Sequence, residues 1–147
     1  MLAILGGMGV ASGQAIDRMW EGGHMPLIAG VDHDRKEVSV VALGQVSVAD
    51  VREHLLHERR DHGLGYPEIV DLRGAGLPFE PGDFQQITEL LRALSLEAPL
   101  GPAAFVVSSE ADLETMRALE VMAKDYREMK AFLSQGEARA WLDTRPI

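Results

Sequence analysis

The chain has 147 residues, 46% of them hydrophobic and 25% charged, a balance that suits one globular domain and excludes wholesale disorder, a collagen repeat or a coiled coil. Its 23 acidic against 14 basic side chains give a formal net charge of -9, which removes the counterion-release drive for binding nucleic acid or anionic lipid. With no cysteine, disulfides, thiolate metal sites and cysteine nucleophiles are excluded, and an acidic, cytoplasmic domain is expected.

The first 24 residues open on an apolar stretch, but the first positive charge is Arg18, and Gly6, Gly7, Gly9 and Gly13 interrupt any continuous apolar helix. Neither a signal peptide nor a membrane span is expected. A phosphate-cradling turn is the sharper reading, yet from Gly7 and Gly9 the third glycine of a dinucleotide fingerprint falls on Ser12. Leu5-Gly6-Gly7-Met8-Gly9 also resembles the opening of aspartate/glutamate racemases, whose cysteine pair this chain lacks. Residues 1–24 are therefore read as an N-terminal extension, or as the product of an upstream start codon, and residues 25–147 as the domain.

From there the elements follow in a regular series. Leu27 to Asp32 and Glu37 to Leu43 are apolar-rich runs joined by the polar turn Asp32-His33-Asp34-Arg35-Lys36, which predicts an antiparallel hairpin. Ser47 with Asp50 three residues on is a helix-start signature, and Val48, Val51, Leu55 and Leu56 continue it to about His62. Ile69-Val70-Asp71-Leu72 reads as a buried strand, and the glycines and prolines from Gly74 to Gly82 as a loop. Asp83 is placed as the cap of a helix carrying Phe84, Ile87, Leu90, Leu91 and Leu94 on one face. Ala103 to Val107 is a further buried strand. Ser109 and Asp112 start a helix that ends near Tyr126, Met129 to Leu133 is the last strand, and Ser134 with Glu137 opens the last helix.

Strands alternating with helices imply a mostly parallel sheet, with the opening hairpin adding an antiparallel edge. The expected class is α/β in the order β-β-α-β-α-β-α-β-α, with the runs near Ile69, Ala103 and Ala131 side by side in the middle of one layer. Asp71-Leu72-Arg73, Ala103-Ala104-Phe105-Val106-Val107 and the terminal Phe132, Glu137, Ala138, Trp141 and Leu142 resemble the bacterial STAS/SpoIIAA-like group, over roughly Pro26 to Leu142. The resemblance implies a small mixed-sheet domain that works by protein contact. In the members that are anti-sigma factor antagonists, a serine at the start of the helix after the third strand is phosphorylated to switch binding off. Residues 71–87 contain no serine or threonine, so that switch is not expected here; Asp83, near the expected helix start, holds a fixed charge or caps the helix.

In open sheets of this kind, ligands meet the carboxyl ends of the parallel strands. Asp71, Arg73, Asp83, Ser108 and Ser109 are therefore the candidate edge. Two occupations are open for them: receiving a small anion or an acidic partner loop, or bonding to loop backbone and capping helices. His54 and His57 share a helix face, but they and His62 do not form the His-Glu-x-x-His zinc pattern, so a solvated face and no metal are expected. There is no Gly-x-Ser-x-Gly elbow and no histidine placed to activate Ser108 or Ser109. The expectation is a non-catalytic regulatory domain without cofactor, whose partner is a protein, a second copy of the chain included. The alternative is a carrier of a small apolar molecule, as in the distantly similar CRAL-TRIO domains, with Met116, Met122 and Met129 lining the pocket.

Overall fold

The computed structural model describes residues 26–145, so the readings of residues 1–24 lie outside the described residues. Leu27–Asp32 (β1) and Glu37–Gln45 (β2) pair antiparallel, from Leu27 opposite Ala42 to Asp32 opposite Glu37. Asp32 shapes the turn between them. Its Oδ1 accepts the backbone N–H groups of Asp34 and Arg35, each at 3.0 Å, and Lys36 closes the turn in the left-handed region at φ 54°.

Helix α1 (Val48–Arg60) begins with the reciprocal pair its sequence predicts. Ser47 Oγ accepts the Asp50 N–H at 3.2 Å, and the Asp50 carboxylate accepts the Ser47 N–H at 2.8 Å. The helix ends earlier than expected because His62 turns left-handed at φ 60° and the Gly63 N–H reaches back to the Glu58 carbonyl at 2.9 Å. Glu68–Gly76 (β3) is longer than the aliphatic run that announced it. Past a bulge between Val41 and Leu43, β2 stays alongside, and Leu43, Gly44 and Gln45 pair with Gly74, Ala75 and Gly76. A partner strand thus holds extended a segment whose glycines read as loop.

Helix α2 (Pro81–Ser95) starts one cap earlier than predicted. Glu80 is the N-cap, Pro81 the first helical residue, and Asp83 the third, its carboxylate accepting the Glu80 N–H at 2.9 Å. Ala103–Val106 (β4), Glu110–Ala123 (α3), Met129–Phe132 (β5) and Gln135–Asp143 (α4) complete the series. Ser109 and Ser134 cap α3 and α4, each Oγ accepting the N–H three residues on.

The five strands lie in the order β1-β2-β3-β4-β5, antiparallel at β1 and parallel elsewhere. The run at Ala131 is therefore an edge strand rather than a middle one. It stays dry nonetheless: Ala131 is buried, and the Glu120 carboxylate accepts its N–H at 3.0 Å, which blunts the free edge.

Alternation along the strands sorts two cores. Val38, Val40, Ala42, Val70, Leu72 and Ala103 face the layer of α1, α2 and α3, where they meet Leu55, Phe84, Ile87, Leu91, Leu113, Met116 and Leu119. Each buried Val, Leu, Ile, Phe or Met among them contributes roughly 1.5–3 kcal/mol of transfer free energy. On the other face, among the described residues, only α4 packs, setting Ala138 and Leu142 on Ile69, Ala104 and Val106 with Phe132 and Trp141 beside them. Met116 and Met129 fill the main core, whereas Met122 is exposed.

Candidate functional site

Helix α4 has nine residues, about 13 Å of axis, and covers β3, β4 and β5 but not the hairpin. Among the described residues no helix lies over the α4 side of β1 and β2. Strand alternation gives that face Asp32, Glu37, Ser39, Val41, Ile69, Asp71 and Arg73, while their neighbours in sequence enter the main core. Together with Arg35 from the turn and Gln135 and Arg139 from α4, they line a cleft of about 450 Å³.

Two pairs fix its walls. Arg73 grips Asp71 with Nε on Oδ1 at 2.9 Å and Nη2 on Oδ2 at 2.8 Å, and Nη2 also donates to Gln135 Oε1 at 3.1 Å. Arg139 grips Glu37 with Nη1 on Oε2 at 2.6 Å and Nη2 on Oε1 at 2.8 Å, tying the start of β2 to α4. Both are two-point guanidinium–carboxylate contacts, which fix orientation as well as attract. The Glu37 carboxylate raises the Arg139 guanidinium above its ordinary pKa, and Asp71 does the same to Arg73. Three acids, Asp32, Glu37 and Asp71, face three arginines, Arg35, Arg73 and Arg139, so the lining is electrically balanced.

The hydrogen bonds from the Arg73 side chain hold the Asp71 carboxyl below the usual carboxylate range, against the opposing push of partial burial. A depressed folded value stabilises the protein above the ordinary carboxylate pKa, and the gain is lost as pH falls through the folded value. Because solvent reaches both partners, Arg73 being 48% and Asp71 25% exposed, the gain is small. A carboxyl-carbon NMR titration should find Asp71 titrating below the ordinary range, and Arg73→Gln should return it there. An ordinary value in the unsubstituted protein would mean that the pair does not persist in solution.

Of the five candidate residues, the structure brings together only Asp71 and Arg73. They lie within β3 rather than after it, and the cleft runs along a sheet face rather than across the strand ends. Asp83 and Ser109 serve in helix caps, and Ser108 is exposed in the bend between β4 and α3. Sequence reasoning missed Glu37, Ser39, Gln135 and Arg139. The polar–apolar alternation Glu37-Val38-Ser39-Val40 was a usable signal for the first two; nothing local marks Arg139 as a partner 102 residues from Glu37. The histidines also divide. His57 is exposed beside Asp61 at 3.2 Å, as a solvated face requires, but His54 turns inward with its side chain only 9% exposed.

The apolar space inside the main core amounts to about 80 Å³, against roughly 300–1,000 Å³ for small-molecule sites, so the expected pocket for an apolar ligand is not formed among the described residues. No described helix is long and apolar enough to cross a membrane.

No family model matches the chain, and no curated protein matches it. Among solved structures it is similar to an uncharacterized protein of the DUF3478 family with a SpoIIAA-like fold from Shewanella loihica PV-4. The identity is 16%, the TM-score 0.54, and the match covers 79% of this chain and 93% of the other. With the strand order and the single helix on one sheet face already in place, this likeness identifies the chain as a protein of SpoIIAA-like fold.

Proposed function

We propose that the protein is a non-catalytic interaction domain with a regulatory role, and that it recognises a protein partner through the cleft between α4 and strands β1 to β3. The charge balance of that cleft carries the reading. Two of its arginines, Arg73 and Arg139, are already paired with Asp71 and Glu37, and Arg35 and Asp32 add one charge of each sign, an arrangement that suits a polar protein loop able to exchange hydrogen bonds and offers no excess charge to a polyanion. Among the cleft residues the single hydroxyl is Ser39, and no histidine lines the cleft to activate it, which supports a domain without chemistry of its own.

The test is affinity capture with the full chain from its native cell, run in parallel with Arg73→Glu. That change reverses one wall of the cleft at an exposed position, so the fold should survive, as circular dichroism would verify. The expected result is a protein captured by the unsubstituted chain and depleted at least tenfold by the variant, equivalent to about 1.4 kcal/mol or more. An unchanged set of captured proteins would overturn the reading. Native mass spectrometry adds a second check, because a retained small-molecule mass would point to a carrier instead.

A further inference from the structure

The stripe of α1 that faces the sheet consists of Val51, His54, Leu55 and Glu58, so two of its four inward positions are ionisable. Glu68, the first residue of β3, shares the inward face of Val70 and Leu72 and meets that stripe. His54 Nε2 lies 2.9 Å from Glu58 Oε2 and 3.1 Å from Glu68 Oε2, and the three side chains are 9%, 1% and 4% exposed. The His54 ring is hydrogen-bonded to Glu68, and Nε2 carries at most one proton. Glu58 is left with no hydrogen bond at either oxygen, although it is the most deeply buried of the three. A carboxylate in that position is costly unless something else meets it.

Charge leads the same way. The fixed cation at the cluster is Arg127, 3% exposed, with Nη1 4.0 Å from Glu68 Oε1 and Nε donating to the Gly101 carbonyl at 2.8 Å. One guanidinium against two carboxylates leaves a unit of negative charge uncompensated while His54 is neutral.

We propose that His54, Glu58 and Glu68 form a binding site for a divalent transition-metal cation of the zinc class. The donor atoms lie within 4.8 Å of one another, and the two shorter separations approach the edge of about 3.3 Å that bonds of about 2.0–2.1 Å subtend in a tetrahedral zinc site. One imidazole with two carboxylates suits zinc, cobalt or manganese better than calcium or magnesium, which favour all-oxygen shells. Glu58 Oε2, which accepts no hydrogen bond, would then gain a ligand bond. Arg127 Nη1 lies 4.0 Å from the other oxygen of Glu68, a charge in the outer sphere of a ligating carboxylate. The adjoining 80 Å³ space, lined by His54, Glu68 and Arg127 among aliphatic side chains, has room for a water as fourth ligand. The inference is independent of the cleft and stands or falls without it.

The experiment uses the full chain, stripped with a chelator and titrated with zinc and, separately, cobalt. Expected are one zinc per chain, a raised thermal midpoint, and cobalt absorption bands of a four- or five-coordinate site. Glu58→Gln and His54→Ala should each weaken zinc binding by about 100-fold or more, while His57→Ala leaves it unchanged. X-ray absorption of the zinc form should show one imidazole and oxygen ligands. Absence of saturable binding overturns the site, as does binding that survives Glu58→Gln and His54→Ala. Should both variants fail to fold in chelator, the ligand set seen by X-ray absorption on the unsubstituted protein decides, and a set with two or more imidazoles overturns the proposal.

Discussion

Arg127→Met should lower the unfolding free energy by about 3–5 kcal/mol, the usual consequence of removing one member of a buried ion pair. Methionine nearly fills the volume, so the loss comes from charge and hydrogen bonding. Glu68, buried at the start of β3, would lose its fixed cation, and the Gly101 carbonyl would lose the Nε–H donor that reaches it at 2.8 Å. Urea unfolding midpoints in chelator would measure the effect. The double variant Arg127→Met/Glu68→Gln removes both charges and should recover a large part of the loss, because the penalty lies in the stranded carboxylate. A single-variant loss below about 1 kcal/mol would mean that water reaches the pair and screens it.

Gly101→Ala should cost about 3 kcal/mol, the upper end of the usual range for overpacking. A Cβ at this position would fall on the backbone carbonyl of Tyr66 and come within 2.8 Å of the Gly65 oxygen. These are main-chain atoms without a side chain's freedom to swing aside, and the approach is pinned from two sides. The Gly101 N–H bonds the Leu64 carbonyl at 2.8 Å, and the Gly101 carbonyl receives Arg127. Gly82→Ala is the matched control: nothing lies within 4 Å of a Cβ there, so alanine in the first turn of α2 should be neutral or add up to about 1 kcal/mol. Equal thermal midpoints for the two variants would contradict the close approach at Gly101.

The two substitutions act on one junction, where the loop before β4 closes against the tail of α3. Neither residue stands out in the sequence. Gly101 sits between Leu100 and Pro102 and reads as ordinary loop punctuation, and Arg127 follows Tyr126 at the end of a helix, where basic residues are common. Their importance appears only once β3 and β4 lie side by side and carry Glu68 and Gly101 to the same guanidinium. The same holds for His54, which its sequence placed on a solvated face with His57 and which the fold turns inward onto Glu58 and Glu68.

By itself the sequence determined the elements of this protein and their order, because the signals involved act within one helical turn or a few residues of strand. Ser47, Ser109 and Ser134 cap helices by reaching three residues ahead, Asp32 turns a hairpin by accepting the N–H groups two and three residues on, and aliphatic spacing selects each buried face. Tertiary structure alone decided that β5 lies at the edge, that β3 runs on to Gly76, that α4 sits over β3 to β5, and that Glu37 meets Arg139 and His54 meets Glu68. Those outcomes depend on which strands share hydrogen bonds and where a crossover sets its helix down, and residues far apart in the chain settle them only when the sheet assembles.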